Sequence, residues 1–463
     1  MNSTTWGLAF YVLITLGIGY WVSRRIHSEE DYLLGGRSFG YPLAIFSIFA
    51  TWFGAETCVS SAASVYDSGI AGSAVEPFGY AFCILFMGAV FAVPLYKRRL
   101  VTLGDLFEQR FSRSTAMVAV ILMIPTSLIW AAAQIRAFGQ VLDVNTGWGL
   151  ETSISAAALI VVIYTAMGGL KADAITDLIQ GILLIIGIFI VFLAVTRASG
   201  GFMTSLQNVE PDRLKMFTAN EGNFMDMLET WSIPICGSVI AQELVARVLA
   251  AKNVSIARNG TLIGGGLYLL VGLMPVYLGL VGGQLIPSVE DSEQIVPLLA
   301  REHLHSLLFI IFAGALISAI LSTVDSALLA CGALLSHNLI LPLMPDLSPS
   351  RKLIYTRATV VTFGILAYFF ALKAGRIYDL IETASSFGTS GVFVVMVMGL
   401  FTRIGGPASA IATLIVGLIS FVIGEYAIPD YNYSFITSLA CAITTFLLTS
   451  VWTRRIHMPQ SPA

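Results

Sequence analysis

Ala50-Thr-Trp-Phe-Gly-Ala-Glu-Thr57 sets glycine and polar residues at mid-depth in an otherwise apolar span. Ile233-Pro-Ile-Cys-Gly-Ser238 does the same in a later span. Proline removes a backbone donor and glycine tolerates unwinding, so both stretches read as broken helices. Counted with the first as core helix one, the second falls in core helix six, five helices on. Interrupted segments at matching positions of two five-helix halves are the sequence pointer to an inverted-repeat transport site. Unwound carbonyls can coordinate a cation there, and half-helix ends can hold a substrate. Either break alone reads more simply as a glycine kink at a tight helix contact. The spacing of the two favours the site.

Composition agrees with a chain that lives in a bilayer. Of 463 residues, 56% are hydrophobic and 11% charged, and the mean hydropathy is +0.83. Soluble domains carry about 25% charged residues. A net charge of −3 and a pI near 6.0 give no reason to expect a nucleic-acid partner. Cys58, Cys83, Cys236, Cys331 and Cys441 all sit in apolar stretches without metal-ligand or pairing patterns, and read as small buried hydrophobes. Bilayer-length spans are expected near 41–66, 75–95, 115–141, 152–167, 174–196, 224–249, 258–285, 306–338, 353–372, 377–401, 407–426 and 434–452. Trp6 to Val22 has no basic residue before it and no clear cleavage site after it, so it reads as a retained first helix rather than a signal peptide. The expectation is an all-α polytopic membrane protein with about thirteen transmembrane helices. Arg24-Arg25, Lys97-Arg98-Arg99, Arg351-Lys352 and Arg454-Arg455 fall on one side, and fewer positive charges on the other. That bias implies an N-terminus outside and a C-terminus in the cytoplasm. Short loops and few cysteines fit a bacterial inner membrane.

The second informative stretch is Ser318-Ala-Ile-Leu-Ser-Thr-Val-Asp-Ser326. At about 100° per residue, Ser318, Ala319, Ser322, Thr323, Asp325 and Ser326 share one helix face, while Ile320, Leu321, Val324 and Leu328 take the other. Hydroxyls and a carboxylate at lipid depth are costly unless something uses them. A small hard cation is the obvious user, because it takes oxygen ligands. Neutral oxygens suit a monovalent ion that must also leave; a carboxylate cluster would favour a divalent one.

These features coincide with a family pattern. The chain resembles the sodium/solute symporters over nearly its whole length. The resemblance rests on Gly35-Gly36-Arg37; on Gly168-Gly169-Leu170 followed by Thr176-Asp177 and Gln180; on Gln242 with Ala246-Arg247-Val248-Leu249 and Ala250-Ala251-Lys252; and on Leu321-Ser322-Thr323-Val324-Asp325-Ser326. Ala50-Thr51-Trp52, Gly54, Ala63, Val65-Tyr66, Trp130-Ala131-Ala132-Ala133, Val101-Thr102 and Asp105 are similar to the branch holding the high-affinity choline transporter. The resemblance implies a LeuT-like five-plus-five inverted repeat with one extra N-terminal and two extra C-terminal helices. The chain would then be one transmembrane domain, 1–463. Residues 1–35 would be the extra helix and its loop, 36–200 and 201–404 the two repeats, and 405–463 the accessory helices and short tail. It further implies sodium-coupled solute uptake by alternating access, without enzymatic chemistry. The family's common sodium site maps onto the carbonyls of Ala50, Phe53 and Ala319 and the hydroxyls of Ser322 and Thr323. A second sodium site, present in some members, maps onto Asp177, Asp325 and Ser326. Asp325 stands where some two-sodium members carry a plain hydroxyl residue.

Each of these residues also has a structural reading. Asp177, just inside a helix start, could cap it or pair with its dipole. Asp325 could hold core helix eight against five. For the solute, Trp52 and Trp130 match an aromatic cage suited to quaternary ammonium groups, or are packing or lipid-facing aromatics. The position of the cage's helix-six tryptophan is Ala241 here, so choline specificity does not carry over. Gly54, at the helix-one break, counts among the expected solute-site residues; Glu56, Glu76 and Glu243 lie where an amine could be met, and Arg136 where a carboxylate could. Glu56 or Glu76 paired with Arg136 as a gate is the plainer alternative. Gln242 is a neutral amide suited to substrate hydrogen bonds. His303 and His305 are a weak metal signal, and Gly104-Asp105 reads as a loop cap. The partners expected are a small polar organic solute (an amino acid, a betaine or choline-like compound, or a carboxylate), sodium and membrane lipid, with the chain a monomer or weak oligomer. Proton coupling, a transporter-like sensor and a facilitator are the other readings left open.

Overall fold

The computed structural model of the chain describes residues 13–14, 17–21, 23–24, 26–216, 224–373 and 384–456. Most of the expected first span, Trp6 to Val22, and the start of the span expected at 377–401 lie outside the described residues. The helices, in chain order, are α1 (Glu29–Leu34), α2 (Tyr41–Trp52), α3 (Ser61–Ser68), α4 (Tyr80–Phe86), α5 (Ala92–Lys97), α6 (Leu103–Arg110), α7 (Arg113–Thr146), α8 (Leu150–Ala198), α9 (Phe202–Gln207), α10 (Phe224–Ser232), α11 (Gln242–Ala250), α12 (Val254–Leu285), α13 (Ile295–His303), α14 (Ser306–Leu335), α15 (Pro349–Lys373), α16 (Thr389–Phe401), α17 (Pro407–Val422) and α18 (Ser434–Ile456). Among the described residues there is no β-strand, only an isolated parallel bridge between Phe39 and Ala251.

Nine of these helical stretches are long and apolar enough to cross a membrane, or ten if the bent pair Phe224–Gly237 and Gln242–Ala250 is one span. The expected count was about thirteen, and two long stretches account for part of the difference. At 49 residues, α8 would run about 73 Å at 1.5 Å per residue, more than twice the ~30 Å hydrocarbon core. It turns at Gly169, whose φ of 61° and ψ of 176° are open to glycine and disfavoured for other residues. The 42-residue stretch Glu56–Lys97 likewise contains a non-helical residue, Glu76.

Both expected breaks are present. α2 stops at Trp52, Phe53 leaves helical geometry at φ −94° and ψ 64°, and the chain resumes as a wide turn at Glu56–Ser60 leading into α3. The second break lies later than the sequence suggested. Pro234 stays inside a wide helical turn, Ile233–Gly237, and the chain opens at Val239 to Ala241 before α11, with a 47° bend. Pro234 lacks the N–H that would continue the α-helical ladder from α10, and the wide turn forms at that point.

α14 is the central pillar. Every residue from Phe312 to Leu334 except Gly314 is buried, as expected for a helix that is apolar all round but for one stripe. It packs against α2, α7, α8, α11 and α15. Elsewhere Ser112 caps α7 through the Thr115 N–H at 3.2 Å, and Asn253 caps α12 through the Ile256 N–H at 2.9 Å. Asp105 completes a capping box with Thr102 at the start of α6. Burial alone would raise the Asp105 carboxyl. The bond and charge from His337, with the Val101 and Thr102 N–H groups, outweigh it and hold the group below the usual carboxylate range.

Candidate ion and solute site

The stripe on α14 meets the end of α2. Thr323 Oγ1 donates to the Ala319 carbonyl at 3.2 Å and lies 3.5 Å from the Ala50 carbonyl across the break. Ala50, Phe53, Ala319, Ser322 and Thr323 are all at most 2% exposed. Gly54 makes this approach possible: a Cβ there would sit 2.7 Å from Thr323 Oγ1 and 2.5 Å from Glu56 Oε2. Of the cation set expected from the sequence, Thr323 is thus brought against the carbonyls of Ala50 and Ala319. The Ser322 hydroxyl turns away and donates to Asp177 Oδ1.

That bond leads into a second polar cluster on the same stripe. Asp177 Oδ2 accepts from Ser47 Oγ at 2.6 Å and from Arg247 Nη2 at 3.4 Å. Asp173 Oδ2 accepts from Arg247 Nη2 at 2.7 Å and Ser326 Oγ at 3.1 Å. Arg247 also donates to Ser326, to the Ser47 carbonyl at 3.2 Å and to the Glu243 carbonyl at 3.0 Å. Asp325 Oδ1 accepts from Thr165 Oγ1 at 2.5 Å, so it ties α14 to the segment of α8 before Gly169, not to the segment after it. Asp177 is a junction residue between α2, α8, α11 and α14 rather than a helix cap. Asp173, Asp177, Asp325 and Arg247 are all at most 2% exposed. Two carboxyl groups, those of Asp173 and Asp177, therefore share one guanidinium out of reach of water, Asp325 stays on the Thr165 hydroxyl, and Asp173 Oδ1 has no hydrogen-bond partner.

Beside Thr323 lies a cavity of about 20 Å³, lined by Thr51, Trp52, Trp130, Ala241, Glu243, Thr323 and Ala327. Trp52 and Trp130 are 3% and 7% exposed, so neither faces lipid. Their ring centroids are 5.5 Å apart. Tyr80 completes a triangle, 5.4 Å from Trp52 and 5.7 Å from Trp130. Its hydroxyl lies 2.6 Å from Ser385 Oγ, which accepts from Ser238 at 3.2 Å beside the second break. The free space suits a water molecule and no organic solute, so the walls must part to admit one.

Other expected solute contacts lie outside this cavity. Glu56 accepts from Gln134 Nε2 at 2.5 Å, and Glu76 accepts from Tyr268 at 2.5 Å and Thr57 at 3.0 Å. Arg136 donates to the Ala371 carbonyl at 3.2 Å. The pairing of Glu56 or Glu76 with Arg136 is therefore not made: neutral donors hold both carboxyls and a backbone oxygen holds the cation. The Gln242 oxygen accepts from the Leu103 N–H at 2.9 Å, and Gln242 lines a separate small cavity with Arg247 and Ser326. Among the described residues no metal cluster of His, Cys, Asp and Glu occurs. His305 caps α14.

Comparison with known proteins now has a site to bear on. The sequence pattern of the Sodium:solute symporter family matches residues 32–417. The chain belongs to this family. With the family come transport across a membrane, sodium as coupling ion, a small-molecule solute as cargo, and no enzymatic reaction. Relatives include the high-affinity choline transporter 1 of Drosophila melanogaster, 26% identical over 80% of this chain and 62% of that protein. The sodium/pantothenate symporter of Haemophilus influenzae is 25% identical over 93% of this chain and 92% of that one. Among solved structures, a Na+-coupled sialic acid symporter matches with a TM-score of 0.86 at 18% identity, over 99% of both chains. Mhp1, a nucleobase-cation-symport-1 family transporter, matches at 0.64 and 13% identity over 93% of this chain and 96% of that one. Those likenesses carry the fold: this symporter is an all-α, multi-pass membrane protein of LeuT-like architecture.

Sequence reasoning missed Ser47, Tyr80, Asp173 and Arg247 as members of the site. Arg247 had a usable signal, because an arginine between Val245 and Leu249 at the end of an apolar span requires a partner. Tyr80 had none, since an aromatic in an apolar span is most often packing.

Proposed function

We propose that this symporter imports a small solute bearing a positively charged ammonium group, and that Trp52, Tyr80, Trp130 and Glu243 recognise that group. Aromatic faces attract a cation most strongly when desolvated, and a carboxylate beside them selects charge over shape. One observation carries the reading: a single cavity touches both Thr323 of the ion stripe and the Trp52–Trp130 pair with Glu243. Sodium bound by the Ala50, Phe53, Ala319, Ser322 and Thr323 oxygens would form one wall of the solute space. The solute and the ion then stabilise the same closed arrangement, which is what coupling requires.

A second cation belongs at Asp177, Asp325 and Ser326, because three buried carboxyls against one guanidinium leave room for another positive charge. Ala241 lines the solute space. Gly54, Glu56, Glu76, Arg136 and Gln242 act on it indirectly, through the helices they fasten. The reading also takes residues 36–200 and 201–404 as the two repeats. It places the N-terminus outside and the C-terminus in the cytoplasm of a bacterial inner membrane, and the working unit as a monomer or weak oligomer.

The test is thermal stability of the purified protein in sodium and in potassium with choline, betaine, proline, pantothenate and small carboxylates. An ammonium-bearing compound is expected to stabilise in sodium only. Stabilisation by a carboxylate lacking any ammonium group, and by nothing else, would refute the reading. Trp52→Leu should weaken binding of the active solute by about 10- to 30-fold, the range of a desolvated cation–π contact. Sodium activation should change far less.

A further inference from the structure

Away from the transport site, a cavity of about 560 Å³ is lined by Glu30, Arg37, Tyr96, Arg99, Val101 and Lys252. We propose that it binds a phosphate-bearing anion, through Arg37, Arg99 and Lys252.

Three segments distant in sequence supply the cations: the turn after α1, the loop after α5, and the turn between α11 and α12. The backbone holds them together. Phe39 N–H donates to the Ala250 carbonyl at 3.1 Å, and Lys252 N–H to the Phe39 carbonyl at 2.9 Å. Arg37 is the fixed member. Its guanidinium donates to Glu30 at 3.0 Å and to the carbonyls of Leu249, Arg99 and Leu100 at 3.3, 3.4 and 2.9 Å. Its side chain is 22% exposed, so the charge still faces the cavity.

Arg99 and Lys252 are the uncommitted members. Both are exposed, and among the described residues neither side chain makes a hydrogen bond or ion pair, while Arg37 and Arg98 nearby do. The cavity thus gathers three cations against the single carboxylate of Glu30, two of them free to close on a ligand. A guanidinium offers a planar fork and an ammonium a compact point charge, and the two together suit the several oxygens of a phosphate. A phosphate bridging the three segments would stabilise the arrangement in which they meet. A lipid headgroup and a soluble phosphate ester share this chemistry.

The experiment needs no transported solute and is independent of the transport reading. The protein is placed in nanodiscs of neutral phosphatidylcholine, and its melting temperature is followed at fixed sodium and ionic strength. In one arm phosphatidylglycerol replaces part of the lipid; in the other glycerol phosphate is added to the neutral discs. A saturable rise of ~2 °C or more is expected in at least one arm. The double variant Arg99→Gln/Lys252→Gln should lose it and keep the wild-type melting temperature in neutral discs, because both side chains are exposed and without partners. Arg351→Gln/Lys352→Gln, which removes two charges elsewhere, should retain it. A rise with phosphatidylglycerol alone assigns the site to lipid, and a rise with glycerol phosphate assigns it to a soluble ester. No rise in either arm, or a rise affected equally by the two double variants, overturns the proposal.

Discussion

Ser322 and Thr323 are neighbours with different partners, and the difference is testable one residue at a time. Thr323 spans the Ala319 and Ala50 carbonyls. Ser322 reaches Asp177 and links the two polar clusters. Replacing both by alanine should raise the sodium concentration needed for uptake on the order of 10-fold or more, the scale seen when groups around a bound ion are removed. Monodispersity and helix content should persist, since two hydroxyls are lost from a helix held by apolar packing along most of its length. An unchanged sodium dependence would sink the assignment. At this scale the stripe was legible because a helical period needs nothing but the sequence. The partners of Gln242 and Arg136 were not legible. Each bonds a backbone group far off in the chain, Leu103 N–H and Ala371 O, and no local pattern reports which backbone group a fold will bring opposite.

At the scale of elements, both breaks were legible because glycine, proline and buried polar residues coincide there. The exact opening of the second was not, because the proline is absorbed within a wide helical turn and the unwinding falls at Val239–Ala241. Nor could the sequence say which helix Asp325 would meet: Thr165 lies before the Gly169 turn, while the segment after that turn meets the pillar at Ser322 and Ser326. The fastening between α8, α11 and α14 runs through Arg247. Arg247→Met keeps bulk but leaves Asp173 and Asp177 without their cation. Breaking a buried pair in this way costs about 3–5 kcal/mol, so the protein should melt markedly lower. Adding Asp173→Asn should recover part of the loss, because one of the stranded charges is gone. Chemical or thermal denaturation of the two variants reads this directly. If Arg247→Met melts with the wild type, the cluster is not what holds these helices together.

At the scale of the whole molecule, the argument turns on one small cavity between two broken spans. It is too small for a solute in this arrangement, so binding has to be accompanied by movement of α2, α7, α11 or α14, of which α2 and α14 also carry the proposed ion oxygens. A ligand shifts such an equilibrium only by its differential affinity for the two arrangements. If sodium and solute favour the same one, each must raise the other's affinity by the same factor. Coupling free energies of about 1–3 kcal/mol correspond to factors of roughly 5 to 150, and the shared wall at Thr323 argues for a value inside that range. Titrating the solute at zero and saturating sodium, and sodium at zero and saturating solute, should therefore return one factor from both directions. Thr323→Ala should shrink that factor toward one, whereas Trp52→Leu should lower solute affinity at every sodium concentration. Equal solute affinity in sodium and potassium would mean that ion and solute do not meet through this wall, and the coupling would have to run through another part of the fold.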